Sequence, residues 1–151
     1  MSFWDTLRIG SSALSAQRLR LDLIANNIAN AETTRTEAGG PYQRQDVVFS
    51  EQSDNSFLPH FIQARRNSGE APGTGSSGVN VAAIVTDPEP GPQIYDPSHP
   101  DADENGYVTY PNVNLVVEMT NMLSATRSYE ANLSVIEAAK RMALKALEIG
   151  R

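Results

Sequence analysis

The chain has no cysteine, so disulfides and thiolate metal sites are excluded whatever compartment it occupies. Histidine occurs only at His60 and His99, too little for a histidine-built metal site. No apolar run approaches the roughly 20 residues needed to span a bilayer. The opening stretch MSFWDTLRIGSSALSAQR lacks the basic leader, continuous apolar core and cleavage pattern of a signal peptide. Taken alone, that suggests the cytoplasm, or a route that uses no cleaved signal. A basic stripe is missing too. Residues 38–111 carry three basic and ten acidic groups, while the flanking thirds are close to neutral and the whole chain sums to −6. Nucleic acid is therefore disfavoured as a partner, because nothing is placed to neutralise phosphates. Near-neutral ends suit self-association, since little charge repulsion opposes it.

What is present is globular in composition: 40% hydrophobic and 20% charged over 151 residues, enough for one ordinary domain or two small ones. All nine prolines lie between Pro41 and Pro111, and eight of the ten glycines between Gly39 and Gly106. The order is therefore helix, then loops and strands, then helix. The pattern predicts an α+β fold in which N- and C-terminal helices pack as a coiled-coil-like pair, with a small β-rich domain inserted between them. Residues 1–31 and 112–151 form the discontinuous helical domain. Residues 32–111 form the β-rich insert, with a mobile loop around 50–78 and a short element around Phe57–Ala64.

The first helix is expected from about Phe3 to Asn30, capped by Ser2. Leu7, Leu14, Leu21 and Ile28 recur every seven residues, with Trp4 and Ala25 at companion positions interrupted by Ser11 and Arg18. Leu19 and Leu23 point away from that seam, so this helix is apolar on more than one side and expects burial on more than one side. The last helix is expected from about Asn114 to Ile149, capped by Asn112 or Asn114 after Pro111. Its seam reads Leu115, Met119, Met122, Thr126, Tyr129, Leu133, Ile136, Lys140, Ala143 and Leu147. The far side carries Ser124, Ser128, Ala131, Val135 and Ala138. Those residues either admit a second helix or simply fill an exposed face. Between the helices, YQRQDVVF (Tyr42–Phe49), VNVAAIVT with Val79, Val81, Ala83 and Val85 on one face, and GYVTY (Gly106–Tyr110) are strand candidates.

Three motifs imitate chemistry. GTGSSG, with Gly73, Gly75 and Gly78, has dinucleotide spacing, but a polar loop precedes it and a strand follows, so no helix N-terminus is available for a pyrophosphate. DADENG (Asp101–Gly106) opens like a calcium loop, yet its twelfth position is Asn112 and its flanks are not helical, so an acidic hairpin turn explains it with less. Asp96, Ser98 and His99 lie in a proline-framed turn with nothing to mark an oxyanion hole. No metal, cofactor or enzymatic activity is expected. A calcium-binding adapter module is the alternative class.

The energetics of the ends point to assembly. Burying a Leu or Ile contributes roughly 1.5–3 kcal/mol, and ordering each residue costs roughly 1–2 kcal/mol in backbone entropy. Two helices joined along one seam are marginal, and their second apolar faces stay in water. The helices should gain order by packing on other subunits, and unlike faces joined without closing a ring build a helical filament or tube.

Two segments carry a resemblance. ALSAQRLRLDLIANNIANAETTRTEAGGPYQRQDVVF (Ala13–Phe49) closely resembles the N-terminal signature of flagellar rod and hook proteins. Gly78–Met142, with YDPSHPDADENGYV and YPNVN, is similar to the proximal-rod members of that family. One departure is Glu32, where the family often carries Asn. The resemblance implies a non-enzymatic structural subunit of the periplasmic rod of the bacterial flagellar basal body, exported without a cleaved signal by the flagellar type III apparatus. It implies assembly with itself, with the rod proteins FlgB, FlgF and FlgG, and with the adapter FliE near the membrane ring, without nucleic acid or direct membrane insertion. Another axial protein, from rod or hook, is the alternative within the class. The subunit contacts are expected on Leu7, Leu14, Leu19, Leu21, Leu23, Asn26, Asn27, Ile28, Met119, Met122, Tyr129, Leu133, Ile136 and Leu147. Asparagine is a poor helix-interior residue. Asn30 is therefore expected to end the first helix, and Asn26 and Asn27 to hydrogen-bond across a subunit contact.

Overall fold

The computed structural model describes residues 3–52 and 78–150. The expected N-cap Ser2, the element around Phe57–Ala64, most of the 50–78 loop, and Gly73 and Gly75 of GTGSSG lie outside the described residues. Helix α1 spans Phe3–Ala29. Strands β1 (Gln45–Gln52) and β2 (Gly78–Thr86) form one antiparallel pair, and β3 (Gln93–Tyr95) and β4 (Tyr107–Thr109) a second. Helix α2 spans Leu115–Ile149. The architecture is the expected α+β arrangement, with two terminal helices flanking a small strand-containing region.

The two helices run antiparallel: Gly10 of α1 lies against Ile136 of α2, and Asn27 of α1 meets Glu118 near the start of α2. At about 1.5 Å per residue, this register brings Phe3 to the level of Ala143, so the last turns of α2 extend past the start of α1. Helix α2 begins where its sequence says it should. The Asn114 side-chain oxygen accepts from the backbone N–H groups of Val116 (3.0 Å) and Val117 (3.2 Å), satisfying two of the first turn's orphan donors.

The contact between the helices is not centred where the heptads put it. Leu7, Leu14, Leu21 and Ile28 are half-buried, and their companions Trp4 and Ala25 are exposed. The buried positions of α1 are Gly10, Ala16, Ile24 and Asn27. On α2, Met122, Tyr129, Ile136 and Ala143 face the contact in part, but Leu115, Met119, Leu133, Lys140 and Leu147 are exposed. Glu118, Ala125 and Ala139, each one residue before an expected seam position, are buried instead. The reason is steric. Helix axes approach closest where side chains are smallest, so glycine and alanine take the centre and the larger residues flank it. At Gly10 an added Cβ would lie 2.7 Å from an Ile136 side-chain carbon.

The β1–β2 hairpin lies along α1. Gln45 at one end is held by Asn27, and at the other the backbone N–H of Val79 donates to the Ser12 hydroxyl at 3.1 Å. The stretch of α1 between Ser12 and Asn27 and the length of β1 both measure about 23 Å, so one strand matches the helix stretch between its two anchors. The strand begins at Gln45, not Tyr42, because Tyr42 and Arg44 turn toward the helices. The expected alternation of Val79, Val81, Ala83 and Val85 is broken. Val48 pairs with Ala83 and Phe49 with Val81, leaving Ala82 as a bulge. Past a bulge the faces exchange. Val79 and Val81 share a face with Val47, Phe49 and Ile84, whereas Ala83 and Val85 lie with Val48 on the other, exposed face.

GYVTY does form a strand, with Val108 fully buried. Its partner β3 was not anticipated, because three residues between Pro92 and Pro97 give no periodicity to read. Gly91 permits the close approach that leads into this hairpin: a Cβ there would sit on the carbonyl oxygen of Tyr110. Among the described residues the buried apolar side chains are Ala16, Ile24, Val108, Ala125 and Ala139. That is a thin core for helices of 27 and 35 residues.

Candidate functional site

The best-defined constellation sits where α1, α2 and the lead into β1 meet. Asn27 is 0% exposed and Glu118 1% exposed. The Asn27 amide nitrogen donates to the Gln45 carbonyl (2.8 Å) and to Glu118 Oε2 (3.2 Å). Its oxygen accepts from the Tyr42 hydroxyl (2.8 Å) and the Gln45 backbone N–H (2.9 Å). Both hydrogens and both lone pairs of the amide are used. Glu118 Oε1 accepts from Arg44 Nε at 2.8 Å, and Arg44 also reaches Asp46 at 3.5 Å. Burial, and then the negative charge of Glu118, push the Tyr42 hydroxyl above its ordinary value. For Arg44, burial acts to lower the value, but the Glu118 hydrogen bond and charge, with help from Asp46, outweigh it and hold the guanidinium more firmly protonated.

Asn27 was expected to face a neighbouring subunit. It faces the interior of its own chain, and its amide has nothing left to offer a neighbour. Asn26 is exposed, and its side-chain oxygen accepts from the Asn30 amide at 2.9 Å. Asn30 follows the last residue of α1 and also donates to the Asn26 carbonyl at 2.9 Å, serving an end-of-helix carbonyl through its side chain. It does so without the left-handed backbone that would suit an asparagine there, since no described non-glycine residue has positive φ.

The 96–106 loop spends its carboxylates internally. Asp96 accepts from the Ser98 hydroxyl (2.6 Å) and backbone N–H (3.0 Å), and these bonds hold its carboxyl below the usual carboxylate range. Asp103 accepts from the backbone N–H groups of Asn105 and Tyr107. Asp101 takes the Thr34 hydroxyl at 2.8 Å and lies 3.5 Å from Arg35, tying the loop to the segment after α1. The acidic run is a self-bonded turn, with the carboxylates of Asp96, Asp101 and Asp103 turned to donors of the chain.

The helices also present apolar side chains outward, beside the joint at Val116 and Met119, and farther along at Leu123, Leu133, Val135 and Met142 on α2 and Trp4 on α1. A shallow groove along α2 is lined by Thr120, Leu123, Ser124, Arg127, Ser128 and Ala131, which takes in part of the small-residue side noted in the sequence.

Comparison with known proteins assigns this arrangement to a family. The model described as "Flagella basal body rod protein" matches residues 7–35, and "Flagellar basal body rod FlgEFG protein C-terminal" matches residues 104–149. The flagellar basal-body rod protein FlgC of Borreliella burgdorferi is 44% identical, covering 99% of this chain and 98% of its own length. FlgC of Bacillus subtilis is 40% identical and FlgC of Salmonella typhimurium 39%, each covering both chains completely. The chain belongs to the FlgC family of flagellar basal-body rod proteins.

The two matched regions meet at the joint, since Asn27 lies in the first and Glu118 in the second. Of the FlgC-family contact residues expected from sequence, Met119, Leu133, Leu147 and Asn26 are exposed. Leu7, Leu14, Leu19, Leu21, Leu23, Ile28, Met122, Tyr129 and Ile136 are half-buried along the helical pair. Sequence reasoning missed Tyr42, Arg44, Gln45 and Glu118 as partners of Asn27. One signal was available for Glu118, a lone carboxylate in the apolar run LVVEM.

Proposed function

We infer that this FlgC-family chain is a structural subunit of the bacterial flagellar basal-body rod. The observation that carries this is the match to FlgC relatives over their entire length, terminal helices included. The geometry fits such a role. The thin core leaves large apolar side chains of α2 in water, an arrangement that favours association through the helices. In this reading the helices, over 1–31 and 112–151, assemble into the wall of a hollow proximal shaft, and the 32–111 segment lies outside. Leu7, Leu14, Leu19, Leu21, Leu23, Ile28, Met119, Met122, Tyr129, Leu133, Ile136 and Leu147 supply or flank the contacts, and the role is non-enzymatic.

The partners that fit are further copies of the chain, the rod proteins FlgB, FlgF and FlgG, the adapter FliE and the membrane ring. The fitting location is the periplasmic basal body, reached by flagellar type III export. No described helix is long and apolar enough to cross a membrane. Electron microscopy of basal bodies carrying the chain tests the reading. Density in the proximal rod is expected, and density confined to the hook would replace this assignment with another axial role.

A further inference from the structure

We propose that the Asn27–Glu118 joint is a folding lock, in which the terminal helices close in register only when the Tyr42–Gln45 segment is docked on both of them. The argument starts from where the partners come from. Of the four hydrogen bonds to the Asn27 amide, only the one to Glu118 joins helix to helix. The other three come from Tyr42 and Gln45. The charge partner of Glu118 at 2.8 Å is Arg44, from the same segment. Paired without that segment, the helices would hold an amide that has lost three of its four hydrogen bonds beside a carboxylate stripped of its cation. Buried polar groups in that condition oppose the closed state. With the segment docked, every one of those demands is met.

The lock also reads register. Asn27 and Glu118 are the buried polar residues of the described chain. Sliding α2 by one turn would either set Glu118 level with Leu23 or carry it past the end of α1 and leave Asn27 level with Met122. The consequence is an order of events: hairpin docking and helix closure become one cooperative step at this end of the pair. A chain whose β1–β2 hairpin has not docked does not present a correctly paired set of helices to a neighbour. The proposal concerns the lone chain and does not depend on the rod assignment.

The test is hydrogen exchange on the purified full chain. Slow exchange is expected at residues 24–30 and 118–122, and Arg44→Met should accelerate it there by about tenfold or more. Tyr42→Phe should produce a smaller acceleration. In an Asn27→Leu/Glu118→Met background the joint is apolar and asks nothing of the segment. The helices should stay protected, and adding Arg44→Met should change exchange by less than about twofold. Equal acceleration by Arg44→Met in both backgrounds would overturn the lock, as would no acceleration in the unaltered chain. Loss of protection in Asn27→Leu/Glu118→Met alone would overturn it too, because helix closure would then require the polar groups themselves.

Discussion

Two regions of the helical pair, its polar joint and its exposed apolar surface, are built on opposite terms. At the joint end the groups that matter are polar, buried and fully partnered within the chain: Asn27 and Glu118 are all but inaccessible and are met by Tyr42, Arg44 and Gln45. Around that joint on α2, and at the other end of the pair, the groups are apolar and exposed: Val116 is 72% exposed, Trp4 74%, Leu147 71% and Ile149 82%. A buried polar network is strict about geometry and permits one arrangement. Exposed aliphatic side chains are indifferent to the identity of the apolar surface that covers them. The joint specifies the fold of the subunit, and the apolar surface is offered to whatever the subunit joins.

The sharpest way to break this contrast is Asn27→Asp. The side chain keeps its shape, but an acceptor replaces the donor that served the Gln45 carbonyl and Glu118, and a second negative charge arrives beside the carboxylate. A loss of about 4 kcal/mol of stability is expected, read by denaturant unfolding, because both repulsion and unmet acceptors are buried. Arg44→Met comes next, at about 3 kcal/mol. It leaves Glu118 without its cation, but the Arg44 side chain is 24% exposed, so water reaches the gap.

Tyr42→Phe is milder. It removes one donor to Asn27, and a loss of about 1 kcal/mol is expected at neutral pH. It also tests the electrostatics. The folded chain holds the Tyr42 proton more tightly than the ordinary value of 10.0. Its contribution is therefore fully present below that value and is lost as pH rises through the higher folded value. Unfolding followed from pH 9 upward should show stability falling more steeply in the unaltered chain than in Tyr42→Phe. Parallel curves would remove Tyr42 from the network.

How much of this was legible follows the same division. The helices, the Asn114 cap and the GYVTY strand rest on local chemistry, such as periodicity, capping and turn residues, and all three stand in the structure. The seam was misplaced because heptads weight large apolar residues, whereas the closest approach is decided by Gly10, Ala16, Ala125 and Ala139. The bulge at Ala82 could not be read from VNVAAIVT, since Ala82, Ala83, Ile84 and Val85 are apolar in succession and fit either register. The oddity of asparagines inside α1 was visible, but their destination was not. Asn27 and Glu118 are separated by 91 residues, and no local pattern pairs them.

At the exposed end the smallest effect on the lone chain is expected. Leu147→Glu places a charge where the side chain already meets water, so monomer stability should change by less than about 0.5 kcal/mol. Circular dichroism of the monomer should already fall short of helices of 27 and 35 residues, because α2 past Ala143 has no α1 residue opposite it and an isolated helical segment of that length is marginal. Incorporation into basal bodies and motility should nevertheless be lost, since a carboxylate buried in an apolar subunit contact has no partner waiting for it. The pairing of the two readouts is the point of the experiment. A silent monomer with failed assembly assigns Leu147 to a neighbour. A destabilised monomer would mean that this end folds back on its own chain, and normal assembly would mean that the contact lies on another face of α2, with the Leu123–Ala131 groove next in line.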